Sequence, residues 1–257
     1  MSKKSILVVL SRIPHRAILE VVNEIGRRET IDVVVLTDVP FQPSVPYPFV
    51  KFVHISDEES IQHSFHKSSV EISGFKPAIA WDKALYYLCR IDTRHPFAWL
   101  IEDDVLIPSA TAMERLDARY AGSCDLATAS NAGEEIGNWH WSQATLLKRP
   151  WRCSKVCAVG ISAALMKHVD ESVRSLGKVV FVEVLFTTLA AHMGLRAVVA
   201  PELATVECAH ALPQCDKPRN CNHIMNVADA ENVRAFPNNL FHPVKTCELY
   251  EKLRLPR

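Results

Sequence analysis

The first half of the chain repeats one order, a short apolar run and then a stretch with helical spacing, and few folds accommodate that order. Ser5 to Ser11 is an uncharged run rich in Val, Leu and Ile, the pattern of a strand buried on both faces. His15 to Arg28 follows, with Ile18, Val21, Val22 and Ile25 on one helical face. Ile31 to Leu36 predicts a second buried strand, Pro40 to Pro48 a loop, and Phe49 to Ile55 a third strand. Residues 57–76 are polar and rich in His and Ser, and predict a mobile surface segment. Pro77 then stands at the favoured first-turn position of a helix whose buried stripe is Trp81, Ala84, Leu85, Leu88 and Ile91. Phe97 to Ile107 predicts a fourth strand, ended by Pro108, and Ser109 a cap for a helix reaching Tyr120. Strands alternating with helices call for an α/β fold, with a mostly parallel central sheet and helices on both faces.

The second half is less regular. Leu126 to Ala129 predicts a short strand, and a loop holding Trp139, His140 and Trp141 comes next. An apolar run covers Val156 to Met166. Phe181 to Met193 predicts a helix with Val182, Leu185, Phe186, Leu189 and Met193 on its core face, and Ala197 to Ala200 one more strand. The tail from Pro213 is polar, rich in Asn, Pro and Cys, and has no clear period. No linker composition separates two domains, so residues 1–257 read as a single two-lobed unit.

Composition narrows the function. A chain of 257 residues that is 48% hydrophobic buries a full core without staples. Lys+Arg and Asp+Glu balance at 29 each, which excludes a generic polyanion binder and hence a nucleic-acid partner, while leaving room for a local basic pocket for one diphosphate. No G-x-G-x-x-G or G-x-x-x-x-G-K-[ST] string occurs, so dinucleotide and P-loop sites lose their main support. The run Ile6 to Leu10 is far shorter than a signal-peptide core. Val184 to Leu195 falls short of the ~18 residues of a membrane span. These features predict a soluble, cytoplasmic chain with no membrane span. Of the 8 cysteines, Cys208, Cys215 and Cys221 crowd with His210 and His223, which invites a zinc reading. The spacing lacks a C-x-x-C pair, however, and free thiols fit better.

The most informative string is Trp99-Leu-Ile-Glu102-Asp103-Asp104-Val105. Three adjacent carboxylates end an apolar strand, an expensive place for unpaired negative charge. In an open parallel sheet, ligands bind beyond the carboxyl ends of the strands. Alternation along a strand points Glu102 and Asp104 one way and Asp103 the other. Two carboxylates on one side suit a hard divalent cation, Mg2+ or Mn2+. A solvated acidic turn is the bland alternative, and the buried flanks weaken it.

This string resembles the D-x-D-type motif of the GT-A glycosyltransferases, which use nucleotide-sugar donors. The same order of short motifs continues in Trp81-Asp82-Lys83-Ala84-Leu85, Val159-Gly160-Ile161-Ser162, Phe181-Val182-Glu183 and Phe241-His242-Pro243-Val244-Lys245. Glu102 in place of the first Asp departs from the pattern. The resemblance implies a GT-A (Rossmann-like) fold, with residues 1–104 as the nucleotide-sugar-binding half and 105–257 as the acceptor-binding half. It implies that Asp104 ligates the metal, with His242 as a further ligand, and that Glu102 or Asp103 contacts ribose, sugar or metal-bound water. Lys245 would meet the diphosphate as a point charge. Ser11, Arg12 and Asp38, at the ends of the first two strands, would complete the nucleotide pocket together with Lys83. Glu183, opening a helix, is the candidate general base for an inverting transfer. Trp139 and Trp141 would stack on a glycan or glycoprotein acceptor.

The expected reaction is therefore metal-dependent transfer of a sugar from a UDP- or GDP-sugar to a hydroxyl of a glycan or glycoconjugate. Two other readings stay open. A nucleotidyltransferase shares the sheet and the metal-bound diphosphate but would need a glycine-rich basic loop after the first strand, which is missing. A non-catalytic binding module held by zinc at the Cys/His-rich tail is the other.

Overall fold

A computed structural model describes residues 4–68, 78–130, 142–207 and 230–254. Seven strands form one sheet in the order β3-β2-β1-β4-β6-β5-β7. They are β1 Ser5–Ser11, β2 Ile31–Thr37, β3 Lys51–His54, β4 Phe97–Glu102, β5 Leu126–Thr128, β6 Ala158–Ser162 and β7 Ala197–Val199. β1 pairs in parallel with β2 and β4, while β6 runs antiparallel to both β4 and β5. The α/β, mostly parallel reading holds, with β6 as the reversed strand.

Helices cover both faces. On one side α1 (Arg16–Arg27) and α4 (Ala110–Tyr120) pack on Leu7, Val9, Val33 and Trp99. On the other, α3 (Ala80–Tyr86), α5 (Ala163–Leu176) and α6 (Val182–His192) pack on Ile6, Val8, Leu100 and Val159. α1 forms where its stripe predicts, with Ile18, Val21, Val22 and Ile25 buried. Ser109 caps α4 by accepting from the Ala112 N–H at 3.2 Å. Among the described residues no helix is long and apolar enough to cross a membrane.

The structure corrects several sequence expectations. The segment after residue 56 is not wholly irregular: Ser56 caps α2 (Asp57–Gln62), and Phe65 is buried beyond it. A capped start with acidic residues in the first turn stabilises even this short helix. α3 begins at Ala80, and Pro77 lies outside the described residues. β4 stops at Glu102; the apolar Val105 to Ile107 is buried without continuing the strand, apart from one bridge between Leu106 and Phe241. Met193 is 48% exposed, just past the end of α6, and is not a core residue. Three short helices late in the chain, α7 (Ala204–Glu207), α8 (Ala230–Ala235) and α9 (Cys247–Leu253), were not legible as periods.

Gly160 shows why this strand tolerates only a hydrogen at one place. It faces Trp99 across the β4–β6 pair, and a Cβ there would lie 2.6 Å from the Phe97 ring and 2.9 Å from the Trp99 ring. Both rings are fully buried and packed edge to face, so neither can swing away. Gly160→Ala is expected to cost about 1–3 kcal/mol as an overpacked core does. A lowered urea midpoint with an unchanged slope is the outcome to look for.

Asp82 sets a pH dependence from the first turn of α3. Its carboxylate accepts from the Ile79 N–H at 2.9 Å and the Ser68 N–H at 3.2 Å, yet burial pushes its pKa from 3.8 up to about 6. A carboxyl whose folded pKa is raised holds more protons in the folded state between those two values. Stability therefore falls as pH rises through that window. Asp82→Asn is expected to remove a fall of roughly 3 kcal/mol between about pH 4 and pH 6, read as the difference between the pH–stability curves of the two proteins.

Candidate active site

The acidic string closes the carboxyl end of β4, beside the end of β1. Asp103 N–H donates to the Leu10 carbonyl at 3.0 Å, and Val105 N–H returns to Glu102 at 3.0 Å, which makes a tight turn of Asp103 and Asp104. That turn, rather than strand alternation, separates the three side chains.

Asp103 turns toward β1 and accepts from the Ser11 hydroxyl. Burial pushes its carboxyl up, against the Ser11 hydrogen bond, and the neighbouring Asp104 charge adds to the rise. Its backbone carbonyl receives His15 Nε2 at 3.3 Å, while His15 Nδ1 accepts from the Ile18 N–H at 3.2 Å and caps α1. This pair of bonds fixes a neutral imidazole with its proton on Nε2, and burial lowers the His15 pKa in the same sense. The first helix is thereby tied to the acidic turn.

Glu102 turns the other way, and its Oε1 accepts from Trp81 Nε1 of α3 at 2.8 Å. A buried indole needs an acceptor, and the strand end supplies it.

Asp104 faces the late segment. Leu106 and Phe241 exchange backbone hydrogen bonds of 2.8 and 3.2 Å, and the Val244 N–H donates to the Asp104 carbonyl at 2.7 Å. These bonds bring His242 and Lys245 to the acids across more than a hundred residues of chain. Lys245 Nζ pairs with Asp104 Oδ2, and His242 Nε2 lies 3.6 Å from Oδ1. Burial opposes ionisation of Asp104, but His242 and Lys245 outweigh it and hold its pKa down at about 2. Its Oδ1 is buried with no hydrogen-bond partner.

The amino end of β6 completes the corner. Because β6 runs antiparallel to β4, its first residues meet the carboxyl end of β4. The Glu102 N–H donates to the Cys157 carbonyl at 2.9 Å, extending the ladder by one pair. Two residues earlier, Lys155 Nζ lies 3.2 Å from Glu183 Oε1 in the first turn of α6. Burial works to lower the Lys155 pKa, but Glu183, Cys157 and Glu102 raise it. Lys155 thus pairs with Glu183 and is also acted on by Glu102 of the acidic string.

The remaining predicted residues fall on the same sheet edge with different surroundings. Asp38 follows β2, and its N–H donates to the Ser11 carbonyl at 3.0 Å. Lys83 is 1% exposed and pairs with Asp38 at 3.1 Å and Asp57 at 2.7 Å. It therefore fixes Asp38 instead of presenting its own ammonium to a ligand. Arg12 is exposed and has no ion-pair partner among the described residues. Trp139 and Trp141 lie outside the described residues, as do the tail residues Cys208, His210, Cys215, Cys221 and His223.

The sequence reading missed His15, Trp81, Lys155 and Cys157. Trp81 was visible as an indole in need of an acceptor. Lys155 and Cys157 gave no signal, since only the reversed direction of β6 puts them at this edge.

The donors present fit a divalent ion. A carboxylate oxygen of Glu102, a ring nitrogen of His242 and Cys157 Sγ all lie within 4.8 Å of one another. The buried Oδ1 of Asp104, which has no hydrogen-bond partner, lies 3.6 Å from His242 Nε2, and a buried carboxylate oxygen without a donor is costly until a cation meets it.

No protein-family model matches the sequence, and no curated protein matches it. Solved structures do match. An active-site mutant of LgtC is similar over 98% of this chain and 98% of its own, with a TM-score of 0.54 and 11% identity. The galactosyltransferase LgtC in complex with donor and acceptor sugar analogues is similar over the same shares, with a TM-score of 0.51 and 12% identity. At that identity the likeness is one of fold. Strand order, helices on both faces and similarity over nearly the full length of both chains agree: this chain has the GT-A glycosyltransferase fold.

Proposed function

We propose that the chain is a metal-dependent glycosyltransferase that moves a sugar from a UDP- or GDP-sugar to a hydroxyl of a glycan or glycoconjugate acceptor. The observation that carries this reading is the convergence of Glu102, Cys157 and His242 donor atoms at the carboxyl edge of the sheet, with the buried, unpartnered Oδ1 of Asp104 3.6 Å from His242. Ligands of open α/β sheets bind beyond the carboxyl ends of the strands, which supports a site at this edge.

Asp104, His242 and Glu102 would hold a Mn2+ or Mg2+ ion. When bound, that ion supplies Lewis-acid neutralisation of charge on the leaving diphosphate. Lys245, 63% exposed at its side chain and already drawn to Asp104, is free to swing to an anionic group beside the acids. Ser11, Asp103 and Asp38 offer hydroxyl and carboxylate partners for a ribose. Arg12 offers an exposed charge, and Lys83 holds Asp38 in place. Glu183, ion-paired with Lys155 at 3.2 Å, takes the proton from the acceptor hydroxyl as that hydroxyl attacks the anomeric carbon with inversion. Trp139 and Trp141 remain candidates for the acceptor side. Both sequence halves, 1–104 and 105–257, bring residues to the acidic corner, so the division into donor and acceptor halves is one of emphasis.

A thermal-shift panel of UDP-, GDP- and CMP-sugars, each with and without Mn2+, tests the proposal. Stabilisation by one sugar nucleotide only when metal is present is the expected result. Tight zinc with no response to any nucleotide would favour the binding-module reading instead.

A further inference from the structure

Cys157 stands where a set of hard oxygen donors needs no sulfur. The ladder pairs Ile101 with Ala158, and the next pair sets Glu102 against Cys157 through the 2.9 Å backbone bond. Residues directly opposed on antiparallel strands share a face, with Cβ atoms about 4.5–5.5 Å apart. Cys157 is 6% exposed, and a buried thiol ordinarily packs as a small hydrophobe. This one instead shares its surroundings with a carboxylate and an imidazole, each within 4.8 Å of its sulfur. A thiol gains little from such neighbours, since it is a weak donor and a weak acceptor. A cation placed among the three turns each of them into a bonded ligand.

We propose that Cys157 Sγ is a donor of the metal site, alongside Glu102, Asp104 and His242, so that the corner selects borderline ions such as Zn2+ and Co2+, and Mn2+ over Mg2+. The inference rests on the metal-dependent reading above and refines which ion it uses. Binding forms a sulfur–metal bond and breaks the S–H bond, and the proton passes to solvent. Sulfur ligands favour softer ions, while carboxylates alone favour Mg2+ and Ca2+.

The test is a titration of the metal-free protein with Co2+, followed by absorption. A sulfur-to-cobalt charge-transfer band in the near ultraviolet is expected to saturate together with the visible cobalt bands. Cys157→Ser should keep the visible bands and lose the near-ultraviolet one. Its Zn2+ affinity should fall by at least the roughly 10- to 100-fold that loss of an outer-shell partner costs, with little change for Mg2+. The triple variant Cys208→Ser, Cys215→Ser, Cys221→Ser should keep the band, which separates this site from the cysteine-rich tail. Cobalt binding to the parent protein with no such band would overturn the role of Cys157 and leave the metal reading in place. No cobalt binding at all would overturn both. The spectrum of the unmodified protein decides these outcomes even if the serine variant does not fold.

Discussion

Asp104→Asn is expected to abolish metal-dependent binding of the nucleotide-sugar while leaving the fold intact. Asn keeps the shape of the side chain but removes the charge that Lys245 and His242 face. Loss of the Lys245 pair costs little, because that lysine is 63% exposed and such pairs contribute ~0–1 kcal/mol. Relief of repulsion with the adjacent Glu102 and Asp103 offsets part of it. A ligand at about a hundred times its dissociation constant stabilises the protein by ~2.7 kcal/mol, roughly 5–10 °C in a chain of this length. The parent protein should show a shift of that order with Mn2+ and the matching nucleotide. Without ligands the variant should stay folded with a melting temperature at most a few degrees below that of the parent, and it should show no shift with them. Unchanged Mn2+-dependent affinity in the variant would take Asp104 out of the site.

Glu183→Gln should separate binding from chemistry. Gln preserves the volume and the position in the first turn of α6 but cannot accept the hydroxyl proton. The partner left behind, Lys155, is 41% exposed at its side chain and can reach water, so the fold should survive. A positioned general base contributes about 10²–10⁴ in rate, so kcat is expected to fall by that factor with the donor KM little changed. Steady-state kinetics give the split, and NMR of the product gives its anomeric configuration. Turnover near that of the parent would move the base elsewhere and point to retention of configuration.

The parts of this molecule that were legible in its sequence are those governed by burial and local capping. β1 and β2 announce themselves because both of their faces are covered, which leaves an uninterrupted apolar run. α1 and α4 follow from a stripe and from a serine cap. The same apolar signal misleads at Val105 to Ile107. These residues are buried beneath α9, where the Ile107 N–H donates to the Tyr250 hydroxyl at 2.9 Å, and periodicity cannot tell a buried turn from a buried strand. α9 itself has a cap in Thr246 and buries Tyr250 and Leu253, but seven residues are too few to establish a period.

The acidic string was legible for an energetic reason: three charges at the end of a buried strand require a partner. Its geometry was not. Glu102 and Asp104 do share surroundings near His242, but through the turn at Asp103 and Asp104 and not through alternation along β4. The direction of a strand leaves no trace in its composition, so the arrival of Lys155 and Cys157 at this edge follows only from the antiparallel pairing of β6. Lys83 looked like a ligand-facing cation by position and proved to be an internal one, buried between Asp38 and Asp57.

The most direct test of the account is a crystal grown with Mn2+ and the nucleotide that stabilises the protein, with data collected at the manganese edge. An anomalous peak bonded to Asp104 and His242, with the diphosphate on the same ion, is the expected result. A bound nucleotide with no ion at that corner, or an ion held away from Asp104, would contradict it.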